Sequence, residues 1–471
     1  MPLPEIAQRR RGPVFILLIK EWRDILGGHT IWILLLLLSV LVGYSYTQAV
    51  TLYGEASKSA RQLPELTRSL SPLDGVFVPT FGALYLANTF LFPFIAIRTI
   101  ASEKQAGTLK LLLQLPCSLS TVVTAKLFVL LAVWLIATLP CLSAIALWSL
   151  SGGHVGWAEV GNLSLGHLLY AAVVAGIAFV AAALAESSAM AAILTLASTL
   201  GFWVLDFAAA GEGGLLKSLS NLSLTTLLRG FEQGVFSSTA TLGALIASAL
   251  LISIARIWLD LRIPMARKLV TSALAAVLAV VLAACVAVRP FSIDKTEDAR
   301  NSFPPADAAT LAALDKPLHV LVQLAPEDPR YIDFERKVLS KLRRSVRDFT
   351  VTLQSDTRSG LFETSDNYGL FRYQYDGKQA QSRSTGEGEV LPLIYGLAGI
   401  ERKAVPDRDP YPGYPLQART DLAQAWFYGF LPLLIVAAWA LGRRSATVWP
   451  LASSQSIQSR IRTRRPFNGG T

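Results

Sequence analysis

The sequence predicts a polytopic α-helical membrane protein with about eight spanning helices and a small extracytoplasmic α/β domain between the last two. The chain of 471 residues is 52% hydrophobic and only 16% charged, a composition that is rare in soluble domains. Its apolar residues gather in runs of about 20, the length that a helix needs to cross a hydrocarbon core of about 30 Å. The long polar segment 289–424 separates the seventh run from the eighth.

Each apolar run is expected to form one spanning helix. The eight predicted spans are 31–50, 81–100, 124–150, 167–184, 189–207, 240–258, 269–288 and 425–442. The second contains Asn88 and Pro93. A kink is expected there, because proline cannot donate the helical hydrogen bond.

Lys and Arg concentrate on one side of this predicted topology, and the bias orients the chain. With the N-terminus inside, residues 9–11, the loop 98–123, the connection 256–268 and the tail 443–471 supply most basic residues to the inner side. The positive-inside rule then predicts that both termini are cytoplasmic. The membrane that we expect is the cytoplasmic (inner) membrane of a bacterium. The net charge of +10 is explained by this topology and by a basic tail near anionic lipid, so no nucleic-acid partner is expected.

The chain has no motif for chemistry of its own. No Gly-x4-Gly-Lys-Ser/Thr sequence occurs, so the usual loop for nucleotide phosphates is absent, and no Gly-x-Ser-x-Gly nucleophile motif occurs either. The three cysteines Cys117, Cys141 and Cys285 all lie outside 289–424, which excludes thiol redox chemistry for that domain. We therefore predict no catalytic, cofactor or metal site in the chain itself.

An amphipathic helix is predicted in the N-terminal segment 1–30. Apolar residues recur at helical spacing from Phe15 to Leu26, and charged residues fill much of the remaining face. Trp22 suits a position in the membrane interface, and Gly27-Gly28 ends the helix before the first span. The charged and aromatic residues of interest here are Lys20, Glu21, Trp22 and Arg23.

The loop 98–123 between the second and third runs predicts a short helix that docks into a partner. Gly107 can end the preceding helix, Thr108 can cap the next one, and Pro116 can end it. Leu109 and Leu112, with Leu113, supply an apolar edge at i, i+3 and i+4. Arg98 and Glu103 are charges at the membrane edge, where an intersubunit ion pair is expected.

The segment 208–239 is apolar enough to enter the membrane but too short to cross it twice. It predicts a re-entrant pair of short helices, which is tolerated only where protein buries the broken backbone. The segment ends in the turn Phe231-Glu232-Gln233-Gly234.

These three segments resemble parts of the ABC-2-type transporter permeases. The run from Glu103 through Gly107, Thr108 and Leu109 to Leu112 and Pro116 resembles their coupling-helix loop, whose pattern is roughly E-x-x-x-G-T-L-x-x-L-L-x-x-P. Lys20-Glu21-Trp22-Arg23 resembles their elbow helix, and Phe231-Glu232-Gln233-Gly234 resembles the end of their re-entrant loop.

The resemblance implies that 31–262 is a six-span permease domain of an ATP-driven exporter. It implies a separate ATPase subunit that binds ATP and Mg²⁺, a second permease copy or paralogue, and contact with membrane lipid, with no cofactor bound directly to this chain. Segment 263–288 is then a seventh span, 289–424 the outer domain, 425–442 the eighth span and 443–471 a basic cytoplasmic tail.

The outer segment predicts a strand, a helix, a second strand, a hairpin and a second helix, at 319–324, 331–349, 350–353, 368–383 and 389–400. This order indicates a small α/β domain. It resembles the extracytoplasmic thioredoxin-like domain of gliding-motility-type ABC auxiliary proteins, which is also bracketed by two spans.

Two other functions remain open. A secondary transporter usually carries charges at the membrane midplane, whereas Arg98, Lys126, Asp206 and Arg256 lie near the ends of predicted spans. A membrane anchor that displays the outer domain for binding or assembly needs fewer spans than eight.

Overall fold

The computed structural model describes residues 13–62, 64–108, 118–208, 223–354, 367–401 and 411–448. Within these ranges, eight helices are long and apolar enough to cross a membrane. They coincide with the eight predicted apolar runs, so the predicted class of polytopic α-helical membrane protein with a small α/β domain is confirmed.

The chain begins with a short helix and continues through the long ones. These are α1 (Pro13–Gly27), α2 (His29–Ala60), α3 (Pro64–Thr67), α4 (Leu73–Gln105), α5 (Leu119–Leu150), α6 (Trp157–Leu184), α7 (Ser188–Ala208), α8 (Leu224–Glu232), α9 (Ser238–Leu259), α10 (Met265–Ala287) and, at the other end of the chain, α14, which crosses at Asp421–Arg443. The helical hydrogen bonding of α4 is interrupted at Leu91, two residues before Pro93, and that of α5 at Thr138, two residues before Pro140. Proline explains both interruptions, since it lacks the N–H that would continue the ladder.

Helix α6 lies at the centre of the helical bundle. It contacts α4, α5, α7, α8 and α9, and most of its side chains are buried. Its sequence is rich in alanine and glycine, which lets neighbouring backbones approach closely. At Gly166, for example, an added Cβ would lie 2.4 Å from the Cβ of Phe231 on α8.

The seventh and eighth spans join opposite flanks of this bundle. Helix α10 packs against α9, whereas α14 packs against α2. An added Cβ on Gly43 of α2 would lie 2.4 Å from the Cβ of Phe427, and the hydroxyl of Ser39 donates to the Phe427 carbonyl over 2.8 Å. The last span therefore completes the packing of the first.

The outer domain is built around a four-stranded mixed sheet with the order β4-β3-β5-β6. Its elements are α11 (Pro305–Ala312), β3 (Leu318–Val322), α12 (329–345), β4 (Phe349–Leu353), β5 (Phe371–Tyr375), β6 (Lys378–Ser382) and α13 (Glu387–Ala398). Strands β3 and β4 are parallel and joined through α12, while β5 and β6 form an antiparallel hairpin. Asp376 and Gly377 both have positive φ, as a two-residue hairpin turn requires.

Most basic residues of α12 are exposed, including Arg336, Lys337 and Arg343, and Lys341 is the exception. Lys341 is buried and pairs with Glu387, and Arg343 pairs with Glu335. Arg344 donates to the Asn301 carbonyl. Lys341 therefore holds α12 against α13, and Arg344 holds it against the segment that enters the domain.

Two strands outside this sheet join the domain to the helices. Strand β1 (Val235–Ser237) follows α8 and pairs antiparallel with β2 (Ser292–Asp294), which follows α10. We call the end of the bundle that bears β1 and the outer domain the domain face, and the end that bears α1 the elbow face.

Candidate coupling site at the elbow face

Helix α1 is seated against α5 and α2 at the elbow face. Leu17 is buried with Val122 and Ala125 of α5, and Ile25 joins the main core. The indole N–H of Trp32 donates to the Leu26 carbonyl over 2.8 Å and closes the corner between α1 and α2. Trp22 is half-buried and Arg23 is exposed, as the amphipathic pattern predicts.

Four charged side chains meet where α1, α4 and α5 converge. The ammonium of Lys126 lies 2.8 Å from Glu21 Oε1 and 2.9 Å from Glu103 Oε2, and it donates to the Thr99 carbonyl over 2.9 Å. Lys20 completes the group by pairing with Glu103 and, over 2.9 Å, with Glu21. We call Lys20, Glu21, Glu103 and Lys126 the elbow network.

The elbow network is largely removed from solvent. The side chains of Lys126 and Glu21 are 2% and 3% exposed, that of Glu103 is 10% exposed, and only Lys20 reaches water, where it also meets Asp24. Burial acts to lower the pKa of Lys20, but its hydrogen bonds to Glu103 and Glu21 outweigh that effect and raise it. With two cations and two carboxylates the network is formally neutral, which is how buried charges are tolerated.

The network encloses the loop 98–123 from both sides. Glu103 stands near the end of α4, in the first part of the loop, and Lys126 stands in the first turns of α5, just after the loop. Within this chain the two oxygens of Glu103 face the cations of Lys20 and Lys126, and its expected pairing between subunits stays a prediction. Arg98, also expected to pair between subunits, donates to the Thr30 hydroxyl over 2.6 Å and ties α4 to the start of α2.

Lys104 connects the same loop to the central helix. Its ammonium donates to the carbonyls of Ala183 and Ala185 over 2.8 Å and 2.7 Å. These carbonyls lie at the C-terminal end of α6, where the helix has no further N–H groups to satisfy them. The beginning of the loop therefore holds α6 as well as α1 and α5.

Gly107 ends α4 with φ +70°, the left-handed conformation that favours glycine, and an added Cβ there would meet nothing within 4 Å. Thr108 donates its hydroxyl to the Glu103 carbonyl over 3.3 Å. Leu109, Leu112 and Pro116, the predicted docking edge and its end, lie outside the described residues.

A family model described as ABC-2 family transporter protein matches residues 15–289, more than half of the chain. The chain belongs to this ABC-2 family. The matched range includes α1, the loop 98–123 and α8, and it ends where the outer domain begins. No curated protein matches the chain. Members of the ABC-2 family are transmembrane components of transporters and generally work with an ATPase subunit.

The end of the predicted re-entrant segment of this ABC-2 chain lies at the domain face. Phe231 is buried against α6, and its carbonyl accepts from the Asn162 side chain over 3.0 Å. Burial raises the pKa of Glu232, with Arg229 opposing it. Gly234 has φ +82°, and an added Cβ would lie 2.4 Å from Thr296 Cγ2, so the turn requires glycine for both conformation and space. Residues 209–222 lie outside the described residues.

An apolar cavity of about 1190 Å³ opens between α6, α7, α8, α9 and α10. Aliphatic side chains dominate its walls, with a few hydroxyls such as those of Ser223 and Thr226 among them. Such a space excludes charged groups and accommodates hydrocarbon.

Sequence reasoning identified Lys20, Glu21 and Glu103 as residues of interest but missed that Lys126 joins them. A single lysine inside the apolar run 119–137 was a usable signal, because ionisable residues in spans are costly and usually paired. Its partners could not be chosen from sequence, since Glu21 lies 105 positions away.

Proposed function

We propose that this chain is the permease subunit of an ATP-driven exporter of the ABC-2 type, coupled through the loop 98–123 to a separate ATPase. Two ATPase subunits and a second permease copy or paralogue complete the assembly, and both termini face the cytoplasm. The observation that carries the proposal is the elbow network, which grips the loop at both of its ends.

A loop held in this way transmits force. When ATP brings the ATPase subunits together, a push on the docking edge moves Glu103 and Lys126 as one body, because separating buried opposite charges is strongly unfavourable. The elbow network carries the displacement to α1, α4 and α5, and Lys104 carries it to α6. A loop without these contacts would flex and dissipate the movement locally.

The arrangement of the outer domain supports its assignment as an extracytoplasmic auxiliary domain of the gliding-motility type. A parallel strand–helix–strand unit is followed by a hairpin and a helix, which is the element order that this resemblance implies. The domain follows α10 and precedes α14, so a spanning helix flanks it on each side.

The docking edge is tested by substituting Leu109→Asp together with Leu112→Asp in the chain purified with its ATPase. Two buried charges in an apolar groove should abolish the stimulation of ATP hydrolysis by the permease. Leu66→Asp is the matched control, since Leu66 is an exposed leucine on α3 at the domain face. Stimulation that survives the double substitution would refute the role of the loop.

The partner is tested by gentle detergent purification of the tagged native chain, followed by mass spectrometry and an ATPase assay of the eluate. We expect a co-eluting subunit with a Walker-type nucleotide motif. An eluate without ATPase, under conditions that preserve a control complex, would favour a membrane anchor or a secondary transporter instead.

A further inference from the structure

The segments that enter and leave the outer domain both grip the domain-face ends of the permease helices. The entering segment is 292–301 and the leaving segment is 411–416. Together with the helix ends that they contact, we call them the domain-face clamp.

The entering segment grips α4 and α6. The guanidinium of Arg300 pairs with Asp74 at the start of α4, donates to the Ser71 hydroxyl over 3.1 Å, and lies 4.0 Å from Glu159 Oε1 in the first turn of α6. The Glu159 side chain is 5% exposed and also accepts from the backbone N–H of Glu297 over 3.0 Å. A buried carboxylate without these donors would be costly, so the contact is energetically significant.

The leaving segment grips α2 and the end of α5. Tyr414 stacks on His154 with ring centroids 3.8 Å apart, and its carbonyl accepts from the Tyr53 hydroxyl over 2.7 Å. His154 lies just after α5 and hydrogen-bonds Glu297 over 2.8 Å, so it joins the two segments. Gly413 has φ +65°, and an added Cβ would lie 1.8 Å from the Thr67 carbonyl oxygen, which leaves no room for any other residue.

The domain itself is attached to this clamp. The side chain of Asn301 donates to the Gln233 carbonyl over 2.7 Å, while its own carbonyl accepts from Arg344 of α12. Strand β2 and Lys295 add backbone hydrogen bonds to β1 and to Gly234. The outer domain is thus bonded to the permease on its entering side.

The three helices held by the elbow network and Lys104 are also held by the domain-face clamp. Helix α4 carries Glu103 at one end and Asp74 at the other, α5 carries Lys126 at one end and leads to His154 at the other, and α6 carries Glu159 at its start. Helix α6 runs without a proline from Glu159 to the carbonyls that Lys104 binds, about 40 Å at the helical rise per residue. It is therefore the most direct rigid connection between the two faces.

We infer that the outer domain is a moving part of the transport cycle, coupled through α4, α5 and α6 to the loop at the elbow face. That the movement starts at the loop and ends at the outer domain rests on the proposed function, in which an ATPase drives the loop. The coupling itself is a property of this chain, and because coupling free energies are reciprocal, a disturbance of the clamp must reach the loop.

The experiment is hydrogen–deuterium exchange of the full chain in lipid nanodiscs, without ATPase. Arg300→Gln removes the charge from one side of the clamp, and Gly413→Ala forces the other side away from α3 by an independent steric mechanism. We expect both to accelerate exchange at 98–108 and 118–126 by about two- to thirtyfold, the range found for coupling through packed networks. Arg300→Lys, which keeps the charge, should move exchange back toward the unsubstituted level.

Lys316→Gln is the matched control, because it breaks an exposed ion pair with Asp376 that lies on the outer domain and outside both clamp segments. This control should leave hydrogen–deuterium exchange at the elbow face unchanged. In every variant, protection from exchange in the middle of α6 shows that the chain is folded. Faster exchange confined to 235–237, 292–301 and 411–416 in both clamp variants would show that the clamp attaches the domain without coupling it to the loop. That result would overturn the inference. That outcome would leave the docking role of the loop untouched, since it is tested separately with the ATPase.

Discussion

Lys126 defines the candidate site more sharply than any other side chain of the described residues. It is buried in the first turns of a spanning helix, yet it meets two carboxylates and one backbone carbonyl. Deleting one partner of a buried pair leaves the other charge uncompensated in a poorly polarisable environment, which costs far more than deleting an exposed pair. The position of a charge in the network should therefore determine the cost of its removal.

Lys126→Met removes the buried cation while keeping a similar length and volume. We expect a loss of about 3–5 kcal/mol of stability, seen as a markedly lower temperature of thermal unfolding in detergent. Lys20→Met is the comparison, because Lys20 is 38% exposed and Lys126 still pairs with both carboxylates, so its effect should be smaller than that of Lys126→Met. Equal effects of the two substitutions would contradict the assignment of Lys126 as the centre of the network.

The pKa of Lys20 determines how the stability difference between the unsubstituted chain and Lys20→Met depends on pH. Because its folded pKa is raised above the ordinary value of 10.5, its contribution is complete below pH 10.5 and is lost as the pH rises through the raised value. The difference between the unsubstituted chain and Lys20→Met should therefore stay constant between about pH 7 and pH 9. A difference that shrinks within this window would show that Lys20 is not held as a cation.

The spanning helices were found from sequence because hydropathy alone determines them, but their ends were not. Helix α4 begins at Leu73 and α6 at Trp157, whereas the apolar runs begin at 81 and 167. The added turns are polar enough to lie beyond the hydrocarbon, and tertiary contacts rather than lipid support them. Those extra turns carry Asp74 and Glu159, so the residues that face the outer domain could not be recognised as part of a span.

Two helices end at carbonyls that accept from a lysine of another helix, and substitution of each lysine tests whether it stabilises the helix end that it caps. Lys104→Met leaves the carbonyls of Ala183 and Ala185 without their ammonium donor, so amide exchange should accelerate in the last turn of α6. Lys268→Met is matched to it, since Lys268 donates to the Trp258 carbonyl at the end of α9 over 2.9 Å. At a net loss of about 0.5–1 kcal/mol per bond, Lys268→Met, which loses one bond, should loosen α9 by about two- to fivefold, and Lys104→Met, which loses two, should loosen α6 by about five- to thirtyfold. Faster exchange in α6 in both variants would show that loss of a lysine destabilises the bundle as a whole and not the capped helix end.

The molecule as a whole has its loop at one end of the bundle and its added domain at the other. Periodicity predicted the order of strands and helices in the domain from β3 to α13, but it did not predict α11. The clamp between the parts was not predictable, because the pairs Arg300 with Asp74 and Tyr53 with Tyr414 join distant segments and leave no local pattern. Three of the four members of the elbow network were recognised, since Lys20, Glu21 and Glu103 stood in motifs and Lys126 did not.

The orientation that the basic residues predict is tested by labelling single cysteines in intact cells. In a chain whose three cysteines are replaced, Lys378→Cys on exposed β6 should react with a membrane-impermeant maleimide from outside. Ser454→Cys in the basic tail should react only after permeabilisation, because the positive-inside rule places that tail in the cytoplasm. The reverse pattern would invert the topology and place the outer domain inside the cell.

The contact of Phe427 with Gly43 has a consequence for the order in which the protein is made. Ser39 and Phe427 are separated by 388 positions, so at about 5–20 residues per second the first span waits roughly 20–80 s for its partner. During that time lipid chains must fill the groove that the glycine leaves. The arrival of α14 displaces them, so this contact forms by an exchange of lipid for protein at α2, the first of the eight spanning helices.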